Sequence, residues 1–202
     1  PFESVKCNTF ITQSTFGLPV YKWQPQHVVM QQIKEWWQQN RLEGKASVLM
    51  GYALGKMQRL IKNLQPFDAP VYAHGAIFNV NEKLREAGFD LPFVPLITPD
   101  IDKKDFSGVL IFATGSAMNS PWMKKFEPYS LGYCSGWMAI RGAKNRMAID
   151  RGFVLSDHAD WNDLNMAITE SGAEKVFVTH GYTDIFTRWL NEQDVSAKEV
   201  KT

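Results

Sequence analysis

The sequence predicts an α/β protein built on a mostly parallel sheet, and three observations carry that reading. Short apolar runs such as Ala46-Ser47-Val48-Leu49-Met50 and Gly108 to Ala113 alternate with segments of helical period about ten residues long. Such alternation is what strand-helix-strand crossovers leave in a sequence. No internal repeat, low-complexity stretch or linker interrupts it.

In chain order, Thr9-Phe10-Ile11-Thr12 reads as a strand and Ser14 to Pro19 as a turn. A helix is expected from about Gln26 to Asn40, with Met30, Ile33 and Trp37 as its buried stripe and Trp36-Trp37 as its anchor. After the Ala46 to Met50 strand, Gly55-Lys56 opens a helix whose Met57, Leu60, Ile61 and Leu64 recur on one face. Val71-Tyr72-Ala73 is a third strand ending at His74-Gly75, and Asn81 to Ala87 a short helix closed by Gly88. Asp100 to Asp105 reads as a solvated polar connector before the Gly108 to Ala113 strand. Gly152 to Ser156, Asp160 to Ser171 and Lys175 to Thr179 then read as a βαβ unit. A right-handed crossover would make its strands parallel neighbours and bring His158 and His180 to their carboxyl ends, the edge where open α/β sheets bind ligands.

Composition sets bounds. With 202 residues, 45% hydrophobic content and a formal charge of +1, the chain has material for one large core or two small ones. The near-zero charge removes bulk electrostatics as a route to nucleic acid or membrane, so a polyanion would have to meet a local patch. Cys7 and Cys134 show neither metal-type spacing nor a disulfide framework, as expected in a reducing, cytoplasmic setting. No apolar stretch approaches the roughly 20 residues needed to span a bilayer. The amino end lacks an initiator methionine and a signal-peptide pattern, so the chain is expected to be a fragment.

His158 and His180 suit metal ligation or acid-base work at neutral pH. The competing reading has Asp157 or Ser156 capping the following helix and His180 packed in a strand-end loop. Spacing alone accommodates both. Arg141, Lys144, Arg146 and Arg151, opposed in sequence by Asp150, form a basic segment that could grip phosphates or be a solvated loop. Trp137 and Tyr133 could stack bases or sit in the core. Lys56, behind Gly55 at a helix start, could meet an anion, but its surroundings are not a P-loop. Ser116, in Thr114-Gly115-Ser116, falls at the sheet edge that binds ligands, and a lone histidine such as His74 is more often structural. No glycine-rich dinucleotide fingerprint follows any strand, which counts against a Rossmann-like nucleotide-binding domain.

Ser156-Asp157-His158-Ala159-Asp160 followed by Thr179-His180-Gly181 resembles the second and third signature motifs of the β-CASP branch of the metallo-β-lactamase superfamily, mainly zinc-dependent nucleases. Asn8 to Pro19 resembles the strand of the first β-CASP motif, and Tyr52-Ala53-Leu54-Gly55-Lys56-Met57-Gln58 a stretch of the family's inserted domain. Ser120-Pro121-Trp122-Met123 and Ser135-Gly136-Trp137-Met138 narrow the similarity to bacterial ligase-associated DNA exonucleases, often labelled messenger RNA 3′-end processing factors. The resemblance covers essentially the whole chain.

It implies a β-CASP domain with helices on both sheet faces at residues 21–150, flanked by pieces of a metallo-β-lactamase αββα fold at 1–20 and 151–202. It also implies hydrolysis of phosphodiester bonds, in DNA repair or RNA processing, with two zinc ions in the intact enzyme. Expected partners are single-stranded DNA or DNA ends, with a DNA ligase and a helicase of the same system, and no membrane. The family's His-x-His-x-Asp-His run is absent here, so His180 is the one direct zinc ligand carried over and the chain alone is expected to be inactive. His158, beside Asp157, corresponds to a proton donor or transition-state stabiliser. Gln13 stands where the family has an acidic residue that hydrogen-bonds this histidine; an amide can accept that bond but holds no imidazolium by charge. With the resemblance, Arg141, Lys144, Arg146, Lys56 and Ser116 are expected to contact nucleic acid. A non-catalytic nucleic-acid-binding or scaffold subunit of the same family is the alternative.

Overall fold

In the computed structural model, which describes residues 3–200, the chain forms two compact units. Pro1 and Phe2, at the amino end considered above, lie outside the described residues. The larger unit comprises Gln24–Asp157; the smaller combines the chain up to Trp23 with the chain from His158 onward. Both are α/β units with wholly parallel sheets, as the alternating pattern predicts.

The larger unit contains α1 (Gln26–Leu42), β2 (Ala46–Gly51), α2 (Lys56–Asn63), β3 (Val71–Ala73), α3 (Gly75–Glu86), β4 (Leu110–Thr114), β5 (Tyr129–Cys134), α4 (Ala143–Arg146) and β6 (Arg151–Phe153), with short 3-10 turns between β3 and α4. Its strands run β3-β4-β2-β5-β6. Every residue of central β2 is buried, because alternate side chains serve different faces. Leu49 joins Leu110 and Phe112 under α1, α2 and α3, where Ile33, Trp37, Leu60, Ile61 and Ile77 lie. Val48 and Met50 join Ile111, Ala113 and Leu131 on the other face, covered by Phe106, Met123, Phe126 and Ile149. Burying a Leu, Val, Met or Phe side chain contributes about 1.5–3 kcal/mol, so this two-faced core is the main source of the unit's stability.

The smaller unit contains β1 (Thr9–Ser14), α5 (Trp161–Ser171), β7 (Lys175–Gly181), α6 (Thr183–Glu192) and β8 (Ser196–Glu199), with strand order β1-β7-β8. Val176 and Val178 of β7 pack with Leu164, Ile168, Phe186 and Leu190 of the two helices.

Three expectations are corrected. The Gly152 to Thr179 stretch is not a βαβ unit: β6 pairs with β5 in the larger sheet, whereas β7 takes β1 as its parallel neighbour. For the same reason residues 151–157 belong to the larger unit rather than to the flanking piece expected to begin at 151. The α3 helix begins at Gly75, not Asn81. It starts there because His74 caps it, its Nδ1 accepting the Ala76 N–H at 3.2 Å.

Burial holds His74 below the ordinary histidine range, and its capping nitrogen accepts only while unprotonated. The unfolded chain therefore binds the extra proton first, near pH 6.5, so stability should fall as pH drops through that value and level off below the folded pKa. His74→Asn keeps a capping side chain without a titration, and should show a smaller loss of Tm between pH 7.5 and 5.5. Parallel Tm curves for the two proteins would remove His74 as the cause.

Candidate functional site

The end of β7 is shaped by its neighbour. Gln13 pairs with Thr179 and Ser14 with Gly181, so His180 is an extra residue inserted into the ladder. Its backbone takes φ +56°, a left-handed conformation that costs a non-glycine residue about 1–2 kcal/mol. Bulges of this kind re-aim one side chain and recur beside active sites. Ser14, fully buried, holds the bulge from the facing strand. Its Oγ donates to the His180 carbonyl at 2.9 Å, and its own carbonyl accepts N–H bonds from Gly17 at 3.0 Å and Tyr182 at 3.1 Å. Gly181 follows at φ +92°, pressed so closely on Ser14 that a Cβ there would stand 2.4 Å from the Ser14 carbonyl carbon. Thr-His-Gly is thus a structural sentence: the glycine permits the approach that displays the histidine at the surface.

His158 lies in the same unit, exposed, in the loop before α5. That loop is pinned to the Phe16 to Trp23 segment. Trp23 Nε1 donates to the His158 carbonyl at 2.9 Å, the Trp23 N–H donates to Asp160 Oδ2 at 2.7 Å, and Trp161 N–H donates to the Tyr21 carbonyl at 3.0 Å. The Phe16 ring meets the imidazole edge-on with centroids 5.8 Å apart. Fully buried Tyr21 shares a 3.1 Å hydroxyl contact with Tyr182, and burial, reinforced by that bond, raises its pKa well above the usual tyrosine range. The helix cap is Asp160, whose Oδ1 accepts the Asp163 N–H at 2.9 Å; neither Ser156 nor Asp157 serves, contrary to the capping alternative. Gln13 Oε1 accepts the Thr15 N–H at 2.8 Å, so the amide ties the end of β1 to the turn after it.

Asp157 ends the larger unit and meets two cations from one turn of α2. Lys56 Nζ lies 3.6 Å from Oδ2 and Arg59 Nη1 lies 3.2 Å from Oδ1; Arg59 also donates to the Ser156 carbonyl at 2.9 Å. The Lys56 side chain is 4% exposed against 43% for Asp157, with its ammonium 5.0 Å from the Tyr52 ring centre. Lys56 is therefore spent inside the unit, on Asp157 and an aromatic face. Arg59 was not singled out by sequence reasoning, although its place one turn after Lys56 was the available signal. Ser116 is exposed at the carboxyl end of β4, sharing a 2.8 Å bond with Thr114. Arg141, Lys144 and Arg146 are all exposed, and Trp137 is 41% exposed. Cys134 is free and buried, its thiol pushed by burial up to about 12.

Zinc sites take three or four protein ligands. Among the described residues no group of three His, Cys, Asp or Glu side chains could hold a metal ion, so these residues by themselves do not fit the two zinc ions expected of the intact family. Nor, among them, is any helix long and apolar enough to cross a membrane.

No protein-family model matches the chain. It is 27% identical over 197 residues to a probable DNA ligase of Opitutus terrae, a match that covers 98% of this chain and 19% of the ligase. The chain thus spans about a fifth of the length of that relative. A protein of unknown function from Enterococcus faecalis shares the fold, with a TM-score of 0.61 and 12% identity over 98% of this chain and 50% of the other.

Proposed function

We propose that these residues are part of a DNA-end-processing enzyme that hydrolyses phosphodiester bonds, an exonuclease acting on single-stranded DNA or DNA ends beside a DNA ligase, with a helicase of the same system as a further partner. The observation that carries this reading is the bulge at the end of β7, which keeps His180 in a strained left-handed conformation at the surface. Strain of that kind is kept where a side chain must be aimed. Similarity to part of a probable DNA ligase supports a place in DNA joining.

Phosphodiester hydrolysis needs an activated water, neutralisation of the non-bridging oxygens and a proton for the departing oxygen. His158, held through its backbone carbonyl while its ring faces Phe16 and solvent, is suited to give that proton. Asp157, the residue before it, is held by Lys56 and Arg59. Any metal would need ligands from outside the described residues, with His180 as this chain's contribution.

The test is the full-length protein, zinc-loaded, on end-labelled single-stranded and nicked duplex DNA. Progressive shortening that a chelator abolishes is expected. Intact DNA after incubation with zinc and with manganese would remove the reading, and retained DNA binding without cleavage would establish the non-catalytic subunit instead.

A further inference from the structure

A second feature lies wholly within the larger unit. The turn after β5, the start of α4 and edge strand β6 border an open, shallow cavity of about 290 Å³ whose lining includes Arg141, Lys144 and Arg151, together with Met138, Ile140 and Gly152, and no acidic side chain. The only acidic residue of this stretch, Asp150, is turned to the sheet, where its Oδ2 accepts the Leu131 N–H at 2.7 Å. Among the described residues none of Arg141, Lys144 and Arg151 belongs to an ion pair. Arg151 instead lies 5.9 Å from the Phe153 ring centre. Met138 packs directly on Gly152, where an added Cβ would meet its Sδ at 2.8 Å.

Three uncompensated cations around one small cavity repel one another and gain by sharing an anion. We propose that this cavity is a phosphate-binding subsite that grips the backbone of single-stranded DNA, Arg141, Lys144 and Arg151 each neutralising phosphate oxygens. Guanidinium forks suit a phosphate bidentately. The cavity falls at the low end of pockets that hold whole small ligands, about 300–1,000 Å³, which favours a phosphodiester group over a whole nucleotide. Trp137, beside the cavity in sequence and 41% exposed, offers a face on which the adjoining base can stack. Of the predicted basic segment, Arg146 does not line the cavity. The inference rests on the DNA-processing reading for its ligand but not on hydrolysis.

The experiment is a fluorescence-anisotropy titration of labelled oligothymidylate with the full chain, chelator present, across a series of salt concentrations. On single strands the slope of log affinity against log salt changes by about 0.7 per phosphate contact. The triple variant Arg141→Ala, Lys144→Ala, Arg151→Ala should lose about two units of slope and bind correspondingly weakly, while Arg141→Lys should retain most of the binding. Lys83→Ala, which removes one charge from α3, should leave the slope unchanged. Inorganic phosphate at millimolar levels should compete only weakly with the oligonucleotide. A triple variant with the wild-type slope would overturn the inference, as would an equal fall for Lys83→Ala, which would mean bulk charge, or no oligonucleotide binding by the wild type. Full displacement by millimolar phosphate would also overturn it, making the cavity a site for the free ion. Failure of hydrolysis with the slope change intact would sink the nuclease reading alone.

Discussion

Gly181→Ala is expected to disrupt the β1–β7 junction, costing more than about 4 kcal/mol, in the range reserved for substitutions that break a specific device. Two terms add. At φ +92° an alanine carries the left-handed penalty of about 1–2 kcal/mol. Its Cβ would also stand 2.4 Å from the Ser14 carbonyl carbon and 2.5 Å from both the Ser14 oxygen and the Thr15 nitrogen. These are backbone atoms of the neighbouring strand and no rotamer can move them aside. Relief requires parting the strands, which breaks the Tyr182 to Ser14 hydrogen bond and unseats the His180 bulge. Gly88→Ala is the clash-free control: its φ is +88° but no atom lies within 4 Å of the added Cβ, so only the backbone penalty applies. Hydrogen exchange of the β1 and β7 amides, with urea unfolding of the whole chain, reads the difference. A Gly181→Ala protein within about 1 kcal/mol of Gly88→Ala would show that the junction yields cheaply and that the bulge is not held by Ser14.

What the sequence discloses is whatever the local period decides. The α2 helix was legible because Met57, Leu60, Ile61 and Leu64 fall on one face, and all four are buried. The all-parallel α/β architecture was legible because strands and helices alternate. The β5 strand was not, since Tyr-Ser-Leu-Gly-Tyr-Cys carries a polar residue and a glycine in a fully paired strand. The structure explains the glycine: a Cβ on Gly132 would come within 2.9 Å of the Trp36 ring, so a tryptophan remote in sequence occupies the space. The βαβ reading failed for a related reason. Sequence neighbours pair often, but β7 finds its partner in β1, where Gln13 faces Thr179 across 166 residues of chain. At the candidate site the residue types His158 and His180 were visible, whereas the geometry was not. The bulge depends on Ser14, the loop before α5 on Trp23, and the hold on Asp157 on Arg59, none of which any local pattern connects to a histidine.

The two histidines should part company when each is removed from the full-length protein. His180→Gly is expected to leave Tm unchanged or slightly raised while hydrolysis falls to background. Glycine occupies φ +56° without the steric cost that histidine bears there, and this gain offsets the roughly 0.4–1 kcal/mol that a more flexible unfolded chain costs. The imidazole, exposed and outside the hydrophobic core, is the only thing lost. A large fall in Tm would mean that His180 is structural, and the case for a strained functional residue would end. His158→Ala acts differently, because Trp23 binds the backbone carbonyl of this residue and not its ring, so the loop should stay in place. If the imidazole delivers a proton to the leaving oxygen, kcat should fall about 10²–10⁴-fold with KM little changed. The discriminating substrate is a phosphodiester of p-nitrophenol, whose departing oxygen needs no proton at neutral pH. His158→Ala should hydrolyse that ester nearly as well as the parent enzyme while failing on DNA. Equal losses on both substrates would assign the ring to binding or to metal-site geometry, since proton donation matters only to the poorer leaving group.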